Sequence, residues 1–80
     1  MTEQRVAIVT GAAQGIGAAI ARELAADGHK VVVADLNIEG ASAVAQEIDG
    51  VAKLLDISDE AAVARIVGEV VDQFGRIDIL

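Results

Sequence analysis

Residues 6–17 read VAIVTGAAQGIG, and this stretch decides the fold. Its first four residues, Val6 to Val9, form an apolar run without polar alternation, which is typical of a strand covered on both faces in a parallel sheet. Three glycines follow in the spacing G-x-x-x-G-x-G, and a segment of helical period begins with the last two of them. The stretch therefore predicts a buried strand, a tight glycine-rich turn and a helix.

The same alternation continues along the chain. Residues 31–34 (VVVA) repeat the pattern of a buried strand, and residues 51–57 give a weaker one because Lys53 interrupts it. A fourth strand is expected over residues 76–80. Strands that alternate with helices across short loops favour a parallel sheet with right-handed crossovers, so an α/β fold is predicted.

Three helices are predicted between these strands from apolar residues at helical spacing. The predicted stripes are Ile16, Ile20 and Leu24 in the first helix, Ile38, Ala41, Val44 and Ile48 in the second, and Val63, Ile66, Val67, Val70, Val71 and Phe74 in the third. Each stripe is expected to face the sheet. Inside the third helix, Gly68 is expected to permit close packing.

The ends of the helices carry their own signals. Ser58 is predicted as the N-cap of the third helix, with Asp59 at the positive end of the helix dipole. Gly28, Gly50 and Gly75 each follow a helical segment, where glycine can adopt the left-handed conformation that ends a helix.

Length and charge limit the possible functions. The 80 residues allow one domain, predicted over residues 1–80. Thirteen acidic residues against six basic ones give a net charge of −7. That charge repels phosphate backbones and anionic lipids, so no nucleic acid and no membrane is expected as a partner.

Missing residue types exclude further chemistry. Without Cys the chain has no disulfide, no thiolate nucleophile and no sulfur-ligated metal, and with His29 as the single histidine it has no multi-His site. No metal is expected. The apolar stretches are too short for a signal peptide or a membrane span, so a cytoplasmic location is predicted.

The glycine-rich turn suggests a phosphate-binding site. Glycines between a strand and a helix let backbone N–H groups approach a phosphate, and the helix N-terminus adds partial positive charge. The spacing is neither the common G-x-G-x-x-G fingerprint nor a P-loop with its Lys. The alternative is that these glycines serve only a tight turn and close helix packing.

Two carboxylates follow the second and third strands. Asp35, 18 residues after Gly17, could accept hydrogen bonds from the hydroxyls of an adenosine ribose, although an Asp at a strand end is also a common turn or cap residue. Asp56 could accept from an adenine amino group or serve as a capping residue, and the sequence leaves both roles open. The carboxyl ends of strands are where open α/β sheets bind ligands.

Taken together, these residues resemble the amino-terminal half of a short-chain dehydrogenase/reductase. The resemblance rests on Thr10-Gly11-x-x-x-Gly15-Ile16-Gly17, on the acidic Asp35 after VVVA, on Asp56-Ile57, and on FGRIDIL at residues 74–80. It spans the whole chain. It implies a three-layer Rossmann-type parallel sheet with strand order 3-2-1-4, truncated after the fourth strand, and it implies NAD as the cofactor.

The resemblance also assigns roles in the glycine-rich turn. Gly11, Gly15 and Gly17 would shape the turn, the backbone of Ile16 would meet the pyrophosphate, and Gln14 would flank the adenosine.

Further roles are implied around the adenosine. Asp35 would hold the ribose, Asp56 and Ile57 would bracket the adenine, and Leu36 would lie beside it.

The chain departs from the family where the reaction centre is expected. Members continue into an Asn-Asn-Ala-Gly segment, a catalytic Ser and a Tyr-x-x-x-Lys pair, whereas this chain contains no Tyr. No catalytic residue is therefore predicted, and the chain alone is expected to be inactive. The resemblance implies that the chain is the NAD(H)-binding portion of an oxidoreductase that interconverts alcohols and carbonyls.

Two alternatives remain at this point. One is a stand-alone nucleotide-binding module, natural or engineered, without catalytic activity. The other is a structural half that folds on association with another chain. Self-association is expected in any case, because the strand at residues 76–80 would form an unprotected sheet edge.

Overall fold

A computed structural model describes residues 4–77 and shows strands and helices in strict alternation. In chain order the elements are β1 (Val6–Thr10), α1 (Gly15–Ala26), β2 (Lys30–Asp35), α2 (Ile38–Ile48), β3 (Val51–Leu54) and α3 (Glu60–Phe74). The predicted order of strands and helices is confirmed up to α3. Of the expected fourth strand, residues 76 and 77 have no strand conformation, and residues 78–80 lie outside the described part.

The sheet is parallel, with β2 in the centre. β1 pairs with β2 in a register that places Val6 opposite Lys30, and β2 pairs with β3 with Val32 opposite Val51. The order of the three strands is β1-β2-β3, which agrees with the 3-2-1 part of the predicted order. All three carboxyl ends lie at one edge of the sheet, where Asp35 and the glycine-rich turn also lie.

Helices cover both faces of the sheet and create two cores. On one face, Val31 and Val33 pack with buried residues of α1 and α2, including Ala21 and Val44. On the other face, Ile8 and Val32 of the strands belong to a second cluster that includes Ile66 and Val70 of α3. The expected division, with the first two helices on one face and the third on the other, is confirmed.

The predicted core stripe of α1 is wrong in part. Ile16 is 82% exposed and Ile20 47%, while Ala18 and Ala21 are buried against the sheet. Alanine has no side chain beyond Cβ, so these positions let the helix backbone lie close to the strands, and the larger isoleucines point away. Only Leu24 of the predicted stripe packs against the core, where it is partly buried.

The chain between β3 and α3 also differs from expectation. β3 ends at Leu54 rather than continuing to residue 57. The Asp56 carboxylate accepts hydrogen bonds from the backbone N–H (3.0 Å) and the hydroxyl (2.6 Å) of Ser58, and this turn ends the strand. Asp59, not Ser58, caps α3, accepting from two backbone N–H groups of the first turn.

Two of the three predicted left-handed glycines are confirmed. Gly28 has φ +93° and Gly75 has φ +81°. At the end of α2, however, Asp49 takes the left-handed conformation with φ 55°, and Gly50 does not. Gly50 is needed for a different reason, since a Cβ there would lie 2.5 Å from the carbonyl oxygen of Val31. The close packing expected at Gly68 is wrong, because a Cβ there would meet no atom within 4 Å.

Candidate functional site

Each glycine of the turn between β1 and α1 has its own structural reason. Gly11 and Gly15 have φ values of +64° and +63°, a region that L side chains rarely adopt. Gly17 lies inside the helix with an ordinary φ, but a Cβ at this position would lie 2.2 Å from the carbonyl oxygen of Gly11. The turn can therefore fold back onto the first turn of α1 only when position 17 has no side chain.

The first turn of α1 has no cap from the protein's own side chains. Gln14 is the N-cap in an extended conformation, and its side chain makes no capping hydrogen bond. The first turn contains no acidic residue. The helical hydrogen bonds begin with Ala18, whose N–H donates to the carbonyl of Gln14 at 3.3 Å. The N–H groups of Gly15, Ile16 and Gly17 therefore stand at the positive end of the helix dipole, available to an anion.

Asp35 lies at the end of β2 and joins the neighbouring segments. One carboxylate oxygen, Oδ2, accepts from the backbone N–H of Ala13 at 3.1 Å, and Oδ1 accepts from the N–H of Asn37 at 2.9 Å. These donors, that of Asn37 first, lower the pKa of the Asp35 carboxyl. The side chain is therefore ionised at neutral pH and held in a fixed orientation beside the glycine-rich turn.

A cavity of about 150 Å³ opens between the carboxyl ends of the three strands. Its lining residues are Thr10, Gly11, Ala34, Asp35, Leu36, Leu55 and Ile57. Leu36 is 64% exposed and Ile57 67%, so two large apolar side chains stand at the surface next to a fixed carboxylate. Apolar walls with one oriented polar group are typical of small-molecule sites.

The structure brings most of the predicted site residues to this edge of the sheet. Gly11, Asp35, Leu36 and Ile57 line the cavity. The other predicted residues of the turn, from Gln14 to Gly17, form the start of α1.

In the sequence, Asp56 lies between the lining residues Leu55 and Ile57, but it does not itself line the cavity. Its exposed carboxylate accepts from Ser58, first of all from the hydroxyl, and these bonds lower its pKa. The sequence left open an adenine-binding role and a capping role; the cap of α3 is Asp59, and the Asp56 carboxylate instead holds the turn at Ser58.

Sequence reasoning missed four contributors to the site. Thr10, Ala34 and Leu55 line the cavity because each lies at or next to the carboxyl end of a strand. The predicted ends of the strands could have identified these residues, because parallel strands bring their carboxyl ends to one edge of the sheet. The fourth contributor is the backbone N–H of Ala13, which carries no signal in the sequence.

Other kinds of site are not found in the described part of the chain. Over residues 4–77 there is no group of three or more His, Cys, Asp or Glu side chains that could hold a metal ion. Within the same residues, no helix is both long and apolar enough to cross a membrane.

The fold and this site define a Rossmann-type α/β protein with a small cavity at the carboxyl ends of its strands. The sequence profile of the short chain dehydrogenase family matches residues 5–80. The chain therefore belongs to the short-chain dehydrogenase family, and the predicted family resemblance is confirmed.

Individual members of the family show the same relationship. The chain is 44% identical over 78 residues to sorbitol dehydrogenase of Cereibacter sphaeroides, an alignment that covers 95% of this chain and 30% of that protein. A crystal structure of 3-ketoacyl-(acyl-carrier-protein) reductase from Brucella melitensis, complexed with NADH, matches with a TM-score of 0.89 and 40% identity. This match covers 96% of the chain and 33% of the reductase.

A metagenomic short-chain oxidoreductase in complex with NADP matches with a TM-score of 0.85 and 42% identity, over 95% of this chain and 37% of that one. The chain thus spans about a third of the length of the family members that it matches.

Proposed function

We propose that this chain is the NAD(H)-binding portion of a short-chain dehydrogenase/reductase-like oxidoreductase. The observation that carries the proposal is the 3.1 Å hydrogen bond from Ala13 to Asp35, which joins the uncapped start of α1 to an ionised carboxylate at the rim of the cavity. A dinucleotide needs both features, one for its pyrophosphate and one for its adenosine ribose. Relatives solved with NADH and with NADP support a nicotinamide dinucleotide as the ligand.

The residues present fit such a cofactor. The N–H groups of Gly15, Ile16 and Gly17 would donate to the pyrophosphate oxygens, and the missing side chain at Gly17 keeps the turn close to the helix. Bound NAD would supply the hydride acceptor. The chain's own part is to bind and orient it.

At the other end of the cofactor, Asp35 would accept from the ribose hydroxyls, and Leu36 and Ile57 would enclose the adenine. Gln14 would flank the adenosine, and Asp56, although engaged with Ser58, would lie near the adenine amino group.

We further propose that the site prefers NAD to NADP. The ionised Asp35 would repel a 2′-phosphate, and Gln14 supplies no cation to offset that repulsion. Titration calorimetry with both cofactors tests this. We expect saturable NAD binding and weaker NADP binding, with the difference reduced in Asp35→Ala. Equal or tighter NADP binding by the unmodified chain would contradict the preference.

The complete enzyme would interconvert alcohols and carbonyls by hydride transfer, as the name of the related sorbitol dehydrogenase suggests. The 80 residues contain no Tyr to donate or accept the proton of such a reaction, so we expect binding without turnover. The near-ultraviolet absorbance of reduced nicotinamide, followed with a panel of alcohols and ketones, measures this. Turnover that persists through repurification would show that the reaction needs nothing beyond these residues.

Self-association is a further proposal. Beside β1, an apolar cavity of about 240 Å³ is lined by residues that include Ile8, Val63 and Val67. A second copy of the chain could cover this apolar surface. Sedimentation at high micromolar concentration should show dimers or larger species, and a folded monomer there would disprove the proposal.

A further inference from the structure

The Ala13–Asp35 hydrogen bond connects two segments that are 22 residues apart in sequence. Ala13 lies in the glycine-rich turn after β1, and Asp35 is the last residue of β2. The same carboxylate accepts from Asn37, the N-cap of α2. One side chain thereby fixes the turn, the end of the central strand and the start of the next helix relative to one another.

The Asp35 carboxylate can accept further hydrogen bonds from the ribose hydroxyls. An ionised carboxylate offers about four lone-pair positions on its two oxygens. Ala13 and Asn37 use one position on each oxygen, and the backbone N–H of Leu36 also acts on this carboxylate, so at most about one position on each oxygen is left. An adenosine ribose has two adjacent hydroxyl groups, so the two free positions could accept one hydroxyl each.

Given the proposed NAD site, we propose that the backbone N–H of Ala13 is a positioning group that orients Asp35 toward the two ribose hydroxyls. With Ala13 and Asn37 in place, the carboxylate is aligned before the ligand arrives. The ligand then does not bear the entropic cost of ordering it. The same bond ties ribose binding to the shape of the turn that would hold the pyrophosphate.

The electrostatics of Asp35 are consistent with this role. Backbone N–H groups are the causes that lower its pKa, with Asn37 first and Ala13 second. Within residues 4–77 the ion pairs involve other carboxylates, Glu47 and Glu69. Removing the Ala13 donor should therefore raise the pKa of Asp35 toward its ordinary value.

The test removes this one N–H group. Chemical synthesis of the 80-residue chain with lactic acid in place of Ala13 replaces the amide with an ester and keeps the methyl side chain. A matched control carries the same replacement at Ala64, in α3, where one backbone donor is lost away from the site. The ligands are ADP and 2′,3′-dideoxy-ADP, which differ only in the ribose hydroxyls.

We expect the ester at position 13 to weaken ADP binding about tenfold and to leave dideoxy-ADP binding within about twofold. NMR titration of the Asp35 carboxyl should show a raised pKa in this variant and an unchanged pKa in the position-64 control. Equal losses for both ligands, or an unchanged Asp35 pKa, would overturn the inference.

Failure of the proposed function would look different. If the unmodified chain bound neither nucleotide, the NAD site itself would be wrong, whereas the pKa comparison would still decide whether Ala13 orients Asp35.

Discussion

The N-termini of the three helices are built in two different ways. At α2 and α3 the protein caps the helix with its own side chains, Asn37 and Asp59, and each first turn contains an acidic residue, Glu39 or Glu60. At α1 the N-cap is Gln14, whose side chain makes no capping hydrogen bond, and the first turn has no acidic residue. One chain thus satisfies two helix ends internally and leaves the third open.

The open end is the one that belongs to the glycine-rich turn. A missing cap typically costs a helix about 1 kcal/mol, so leaving α1 uncapped lowers the stability of the free protein. An anion bound there would satisfy the same N–H groups from outside. The difference is what the proposed cofactor site requires, since the start of α1 would receive the ligand, whereas the starts of α2 and α3 serve stability.

The largest expected effect comes from placing a side chain in the uncapped first turn of α1. Gly17→Val places a Cβ 2.2 Å from the Gly11 carbonyl oxygen, so the turn must move away from the helix. We expect NAD binding to be abolished, as measured by titration calorimetry.

Gly68→Val is the matched control. It makes the same substitution inside a helix, at a position where an added Cβ would have no other atom within 4 Å. It should bind NAD like the unmodified chain. Circular dichroism verifies that both variants fold. A folded Gly17→Val chain with unchanged NAD affinity would contradict the assignment of the pyrophosphate.

The second effect comes from capping α1 in the manner of α3. Gln14→Asp should let a carboxylate accept from first-turn N–H groups, which stabilises the free chain by about 0.5–1 kcal/mol. The same carboxylate would compete with the pyrophosphate, so NAD affinity should fall about tenfold. Gln14→Ala should leave the stability nearly unchanged, because the Gln14 side chain caps nothing, and it should weaken NAD binding less than Gln14→Asp, because it removes only the proposed contact beside the adenosine. Tighter NAD binding by Gln14→Asp would disprove the idea of an anion site.

The third effect is confined to stability. Asp59→Ala removes the side chain that accepts from Ala61 and Ala62 at the start of α3. The free energy of unfolding, measured by urea denaturation, should fall by about 1 kcal/mol, with NAD affinity of the folded protein unchanged. A loss of affinity comparable to that in Gln14→Asp would mean that the two kinds of helix end do not have separate roles.

The smallest effect is a pH dependence. The pKa of Asp35 in the folded chain is lowered from its unfolded value, so its stabilising contribution is fully present above the unfolded pKa of about 3.9. The contribution is lost as the pH falls through the lower, folded value. Because its folded pKa is lowered, Asp35 stays ionised in the folded chain down to about pH 4, so NAD affinity should stay level from pH 7 to about pH 4 and decline only at more acidic pH. Calorimetry across this range measures it, with Asp35→Asn as the variant that should lack the decline.

Most of the fold could be predicted from the sequence because its signals are local. The runs of β-branched residues in β1 and β2 predict strands, and the long apolar stripe of α3 predicts a helix. Each of these patterns has one interpretation. The prediction failed where side-chain size rather than hydrophobicity decides the outcome. In α1, Ala18 and Ala21 face the sheet and Ile16 and Ile20 do not, since close approach of the helix favours the smaller residue.

The site was predictable to the extent that it depends on side chains at strand ends. Gly11 and Asp35 follow from the pattern of strand and turn, and Leu36 follows from the family resemblance. Other details depend on neighbours in space. Asp59 rather than Ser58 caps α3, and the Ala13 N–H reaches Asp35 only in the folded chain.

The most direct test of the difference between helix ends is an NMR titration of the unmodified, nitrogen-15-labelled chain with NAD. We predict saturable shifts that are largest at the amides of Gly15, Ile16 and Gly17, together with a shift at Ala13. The first-turn amides of α2 and α3, Gly40 and Ala61 among them, should shift little. Comparable shifts at all three helix ends, or no saturable shift at the start of α1, would contradict the account.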